Sequence, residues 1–278
     1  EDSFMKRKNY LNNKDLLKEI HKSKVSYCSY ISEGDDQFDI ILPNISRINI
    51  RTVAEAKRNQ ASRLAKQAYE EAVNAGQKVK QAEFEVNWKK IKKQELIFRI
   101  MTFDHIPLQP GRKKNPKTVA DHHTQCNFPP FQHFKFNEED KLICIGKSHW
   151  DGGMENGAFS KIHGKMTNEL AKMYMKLCER YATRSNWRGY TYNDEMRGNA
   201  LLQLSQIGLQ FDESKSQNPF AYYTAAITNS FTRVLNIEKK NQNIRDDILE
   251  HNGLNPSYTR QSANEANKSA DPKLVKSK

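Results

Sequence analysis

The sequence predicts a mainly α protein with little β structure, on three observations. From Thr167 the residues Leu170, Met173, Tyr174, Leu177 and Tyr181 recur at the spacing of one buried helical stripe. Residues 51 to 100 are rich in Ala, Lys, Glu and Gln, with Ala54, Ala61, Leu64, Ala65, Ala68 and Ala72 near helical spacing, which predicts a long basic helix or a helical hairpin. Between these, residues 101 to 165 hold Pro107, Pro110, Pro116, Pro129 and Pro130 and then a Gly-rich stretch, so an irregular Pro/Gly/His-rich insertion or linker is expected.

Each element has its own signal. Residues 10 to 22 predict a short docking helix, capped by Asn12 or Asn13, with Leu16, Leu17 and Ile20 on one face. Residues 1 to 50 thus predict a docking helix and a loop with at most one strand, the apolar run Ile40-Ile41-Leu42 being stopped by Pro43. Within 51 to 100, Gly76 is the expected break, and Val79, Ala82, Val86 and Ile91 precede the basic cluster Lys89-Lys90-Ile91-Lys92-Lys93. That cluster reads either as a phosphate-contacting patch or as a solvated helix face. In the insertion, residues 141 to 145 predict one short strand.

Residues 166 to 250 predict a three-helix bundle. The first helix covers about 167 to 184; the second covers about 193 to 209, with Met196, Ala200, Leu204 and Ile207 inward and Gly208 at its end. The third starts at Asn218-Pro219, where Asn caps the free amides and Pro loses no hydrogen bond, and runs to about Lys240. Residues 251 to 278, dominated by Asn, Ser, Ala and Lys, predict a flexible tail.

Composition narrows the function. Lys and Arg number 45 against 33 Asp and Glu, a formal charge of +12, which favours a polyanionic partner. The four cysteines, Cys28, Cys126, Cys144 and Cys178, include no CxxC pair, so neither a disulfide framework nor a zinc ribbon is signalled. No apolar run is long enough to span a bilayer, and a cytoplasmic protein with no membrane partner is expected. The absence of GxxxxGK argues against nucleotide hydrolysis; no cofactor or metal is expected.

The string GYTYNDEMRGNALLQLSQIGLQFDESKSQNPFAYYTAAITNSF, residues 189 to 231, resembles the late-transcription sigma factors of T-even-type tailed bacteriophages. The segments Phe211-Asp212-Glu213 and KSQNPFAYYT, residues 215 to 224, carry the resemblance, and NYLNNKDLL, residues 9 to 17, is similar to the start of those proteins. Residues 25 to 160 lie outside it. The resemblance implies a bundle like region 2 of primary sigma factors, binding to the clamp helices of the largest subunit of host RNA polymerase core, and melting of promoter DNA, with no catalysis. In that frame Glu195 is an acidic core-binding position, with Asn199, Gln203 and Gln206 as polymerase contacts. Tyr222, with Tyr223 beside it, falls where an aromatic captures an unpaired base; Asn229, Thr232 and Arg233 fall on the DNA-reading helix, and Lys239 and Lys240 can meet phosphates.

The chain also departs from the pattern. Primary sigma factors have paired tryptophans where Ala225 and Ala226 stand here, which implies an A/T-rich element that opens easily. A phage co-activator or the sliding clamp is a further partner that the resemblance suggests, but residues 269 to 278 read SADPKLVKSK rather than the family's acidic, hydrophobic clamp-binding motif. Two other function classes stand beside the sigma factor. One is a metal-dependent phage DNA nuclease using Asp121, His122, His123, Cys126, His133, Cys144 and His149, whose spacing matches no closed metal pattern. The other is a basic polymerase-modifying protein without initiation activity.

Overall fold

The structure, a computed structural model, describes residues 12–77, 79–107 and 126–270. About 54% of them are helical and 12% lie in strands, so the expectation of a mainly α protein with little β is overturned: this is a mixture of α and β. The described residues fall into two compact units, one within Glu1–Leu177 and Leu204–Tyr223, the other within Cys178–Gln203 and Thr224–Lys278.

The first unit opens with α1, Asn13–Val25, capped by the Asn12 side chain accepting from the Lys14 amide at 2.8 Å, with Leu16 and Ile20 fully buried. A five-stranded sheet follows in the order β1 (Cys28–Tyr30), β5 (Leu142–Ser148), β4 (Phe131–Phe136), β3 (Ile97–Met101), β2 (Ile40–Leu42). The β2–β3 pair is parallel and the other pairs are antiparallel, so the sheet is mixed. Trp150–Asp151 (β6) and Ala158–Phe159 (β7) form a separate two-stranded ribbon.

Residues 51 to 100 hold one α-helix, not a helical hairpin. Helix α2, Ile50–Asn74, starts at an Asn49/Thr52 capping box and ends before Gly76, whose φ of 79° suits glycine. Beyond it come three short 3₁₀ turns and then β3. The reason is tertiary: Ile91 and Leu96 are buried with Ala56 and Ala61 of α2, Phe98 and Ile100 of β3, and Phe134 and Phe136 of β4. Alternation places residues 98, 100, 134 and 136 on the sheet face toward α2, and Arg99 and His133 on the other.

The segment expected to be irregular supplies β4 and β5. They are joined by a tight turn in which the Asn137 amide donates to the Lys141 carbonyl and Asp140 takes a left-handed φ of 59°. The motif FQHFKF therefore alternates as a strand buried on both faces.

Helices α3 (Asn168–Ala182), α4 (Asn193–Ile207) and α5 (Pro219–His251) follow the expected order, and the unit boundaries fall within them. The stripes read from sequence are buried, with Leu170, Tyr174, Met196, Ala200 and Leu204 wholly or almost wholly enclosed. Two differences concern length. Helix α5 continues past Lys240 to His251, and Tyr258–Ala270, expected as tail, is helix α6. Within the second unit, Asp246 accepts from the Ser257 amide and hydroxyl at 2.8 and 2.7 Å, and Arg260 pairs with Asp247 at 2.6 Å, which fixes the turn between the two helices. Among the described residues, no helix is long and apolar enough to cross a membrane.

Candidate nucleic-acid interface

In the second unit, Ala226, Ile227, Ser230, Phe231 and Val234 of α5 are buried, which turns Asn229, Thr232, Arg233, Asn236 and Lys240 outward at helical spacing. With Ile237 they line an open trough of about 620 Å³ that contains no carboxylate. Lys239 is exposed beside it. Asn229, Thr232, Arg233 and Lys240, singled out from sequence, thus share one surface; Asn236, one turn on, was missed, although the same periodicity points to it. Such a surface offers amide and hydroxyl hydrogen bonding together with two cations, the groups that bind phosphates and base edges.

The loop between α3 and α4 is held rigidly. Asn193 donates from Nδ2 to the carbonyls of Ala182 and Trp187 at 3.1 and 2.9 Å. Trp187 is buried against Phe231 and Tyr181, with ring centroids 5.3 and 6.2 Å away. From Trp187 an aromatic ladder leads outward to Tyr190 at 6.2 Å and on to Tyr192 a further 5.2 Å away, and the last two rings are half-buried.

In the second unit, Glu195 and Asn199 of α4 are exposed and Gln203 is half-buried, so these three expected polymerase contacts share one stripe; Gln206, in the first unit, is exposed. Asn199 donates to the Glu195 carbonyl at 3.0 Å, which leaves the Glu195 carboxylate exposed and without an ion-pair partner among the described residues.

Tyr222 and Tyr223 lie in the first unit. Tyr223 is fully buried: its hydroxyl donates to the Gly208 carbonyl at 2.9 Å and accepts from Tyr174 at 3.0 Å. Burial raises its phenol well above the ordinary value. Tyr222 is half-buried beside Phe211 and donates to the Ile207 carbonyl at 3.2 Å. As placed, Tyr223 is a packing residue with no surface to offer a base.

The segments that carry the sequence resemblance meet in the first unit. Asn13 accepts from the Phe220 amide at 3.1 Å, and Lys24 donates to both Glu213 carboxylate oxygens at 2.8 and 2.7 Å and to the Phe211 carbonyl at 2.8 Å. Burial alone would raise the Glu213 carboxyl, but Lys24, His21 and Arg99 hold it below its ordinary value, while burial lowers the Lys24 ammonium and Glu213 opposes that shift. Arg99, from the segment outside the resemblance, is sandwiched between Phe38 and Phe131 at 3.8 and 3.9 Å, donates to His133 Nε2 at 2.9 Å and lies 3.3 Å from His21 Nδ1. The sheet therefore belongs to the same core as the Phe211-Asp212-Glu213 turn. Sequence patterning gives no sign of this, because a buried Lys and Arg look like surface residues until their partners are known.

Of the residues considered for a metal, Asp121, His122 and His123 lie outside the described residues. Both His133 nitrogens are engaged, Nδ1 with the Asp35 carbonyl at 2.6 Å and Nε2 with Arg99. His149 is fully buried, and Cys144 donates weakly to the Gly146 carbonyl. Among the described residues, no group of three or more His, Cys, Asp or Glu could hold a metal ion. The chain matches no protein-family model, no curated protein and no solved structure.

Proposed function

We propose that this chain is a phage-encoded sigma factor, acting in the cytoplasm of an infected bacterium, that binds host RNA polymerase core and directs it to late promoters with an A/T-rich −10-like element. The observation that carries the reading is the polar stripe of α5, where Asn229, Thr232, Arg233, Asn236 and Lys240 are exposed along one carboxylate-free trough. An open, cationic helix face suits the edge of a polymer better than an enclosed small molecule. In this reading Arg233, Lys239 and Lys240 neutralise phosphates, while Asn229, Thr232 and Asn236 meet base edges. Glu195, Asn199, Gln203 and Gln206 of α4 are the residues offered to the polymerase clamp helices.

The net charge of +12 supports a polyanionic partner. An A/T-rich element suits a factor with Ala225 and Ala226 where a melting wedge would stand, because such steps unstack at low cost.

The test is run-off transcription by host core polymerase from a phage late promoter, with and without the chain, on linear duplex and premelted templates. Specific initiation that depends on the chain is expected, at least on the premelted template. Core binding without any start on either template points instead to a polymerase-modifying protein. Absence of core binding removes the reading.

A further inference from the structure

Tyr223 has no exposed surface and Tyr222 is half-buried with its hydroxyl engaged, so an unpaired base needs another aromatic surface. The second unit has one in the loop between α3 and α4. We propose that Tyr190 and Tyr192 form the platform on which an unpaired base of single-stranded DNA stacks, in the same unit as the polar stripe of α5. The inference rests on the DNA-binding role proposed above and names the group that takes the opened strand.

Rigidity is the first support. The two rings are 5.2 Å apart and tilted by 38°, and the ladder through Trp187 to Phe231 anchors them in the core. The loop is fastened by Asn193 and by the Tyr190 amide, which donates to the Trp187 carbonyl at 3.3 Å. A ring already held in place loses little freedom when a base stacks on it.

The surroundings decide the class of ligand. Arg188, Gly189, Thr191, Asp194 and Glu195 beside the pair are exposed, so the two rings are flanked by polar and charged residues rather than set in a wide apolar patch. That suits a single planar base better than the apolar face of a partner helix. The pair also lies in the field of α5: the Tyr192 phenol is raised by burial, by Tyr190 and by Glu238, which immediately follows Ile237 of the trough. Residues 229 to 240 of that helix carry Arg233, Lys239 and Lys240 against the single carboxylate Glu238. Exposed Arg188, two residues before Tyr190, supplies a cation on the same loop for the phosphates of a stacked strand.

The experiment uses the full chain, alone and bound to core, with an A/T-rich oligonucleotide carrying 5-iodouracil; after irradiation, cross-linked peptides are mapped by mass spectrometry. Cross-links at Tyr190 or Tyr192 are expected with the single strand and not with the same sequence as duplex. In parallel, Tyr190→Ala with Tyr192→Ala is expected to weaken single-strand binding about 5- to 150-fold, the range for loss of one stacked base. Duplex affinity and the circular dichroism spectrum should be unchanged, and the paired Tyr→Phe variants should bind as the original chain does. Cross-links only at other residues, or none in either setting, overturn the proposal, as does undiminished single-strand binding by the Ala variants. Cross-links at Tyr190 or Tyr192 without chain-dependent transcription would remove the sigma-factor reading and leave this one standing.

Discussion

The Lys24–Glu213 pair allows a stability prediction that can be worked from the geometry. Lys24 has no exposed surface, and its three ammonium protons have three acceptors, two Glu213 oxygens and the Phe211 carbonyl. Glu213→Ala deletes two acceptors and, among the described residues, the only carboxylate in contact with this ammonium, leaving Lys24 as an uncompensated buried cation near a second one, Arg99. Breaking a buried pair in this way costs about 3–5 kcal/mol. Lys24→Met should cost less, because the stranded carboxylate still lies in the field of Arg99. The double variant Lys24→Met/Glu213→Leu removes both charges and leaves chiefly the Phe211 carbonyl unpaired, about 1–3 kcal/mol.

The expected order of stability is therefore original chain, then the double variant, then Lys24→Met, then Glu213→Ala. For a unit of this size the largest loss corresponds to a melting temperature lower by about 6–20 °C. The measurement is urea unfolding at pH 7, with hydrogen exchange read on peptides from α1 and β3 to β5 so that the signal belongs to the first unit. A double variant less stable than Glu213→Ala would refute the reasoning, as would a Glu213→Ala loss below about 1 kcal/mol.

The remaining predictions concern acid sensitivity, packing and partner binding. Burial holds His149 down to about 3 and His133 well below 6.5, so the folded chain refuses protons that the unfolded chain takes up below pH 6.5. Stability is therefore complete above that pH and falls as pH drops, by about 3 kcal/mol between pH 7.5 and 5.5 from these two groups together; a flat urea midpoint over that range would contradict it. Gly208→Ala drives a methyl group into the Tyr174 ring and hydroxyl, and should cost about 1–3 kcal/mol in the same unfolding assay, whereas Gly189→Ala, with open space around it, should cost much less. Glu195→Arg should weaken binding to core polymerase at least tenfold, by about 1.4 kcal/mol or more, without moving the melting temperature; unaltered affinity by surface plasmon resonance would take Glu195 out of the interface.

Much of the helical half was legible because it depends on local rules. The stripe from Leu170 to Tyr181, the Asn12 cap and the Asn218-Pro219 start are set by periodicity and by unpaired amides at helix ends, and each appears where the residues place it. The α5 stripe was legible for the same reason: once Phe231 and Val234 face inward, Asn229 and Arg233 must face outward.

Of the sheet, β5 was legible as the strand expected at 141 to 145, but its partners and order were not. Its strands are at most 7 residues long, the parallel β2–β3 pair joins segments far apart in sequence, and Arg99 and His133 break the apolar pattern that marks a buried strand. Gly208 shows the same divide. The sequence marks it as the end of a helix, while the structure adds that only a hydrogen at Cα leaves room for Tyr174. Local periodicity is written in neighbouring residues and so determined the helices and their faces. The partners of Lys24, Arg99 and Tyr223, and the burial that makes Tyr223 a core residue while leaving Tyr190 and Tyr192 partly open, depend on contacts between distant segments, which only the tertiary structure decided.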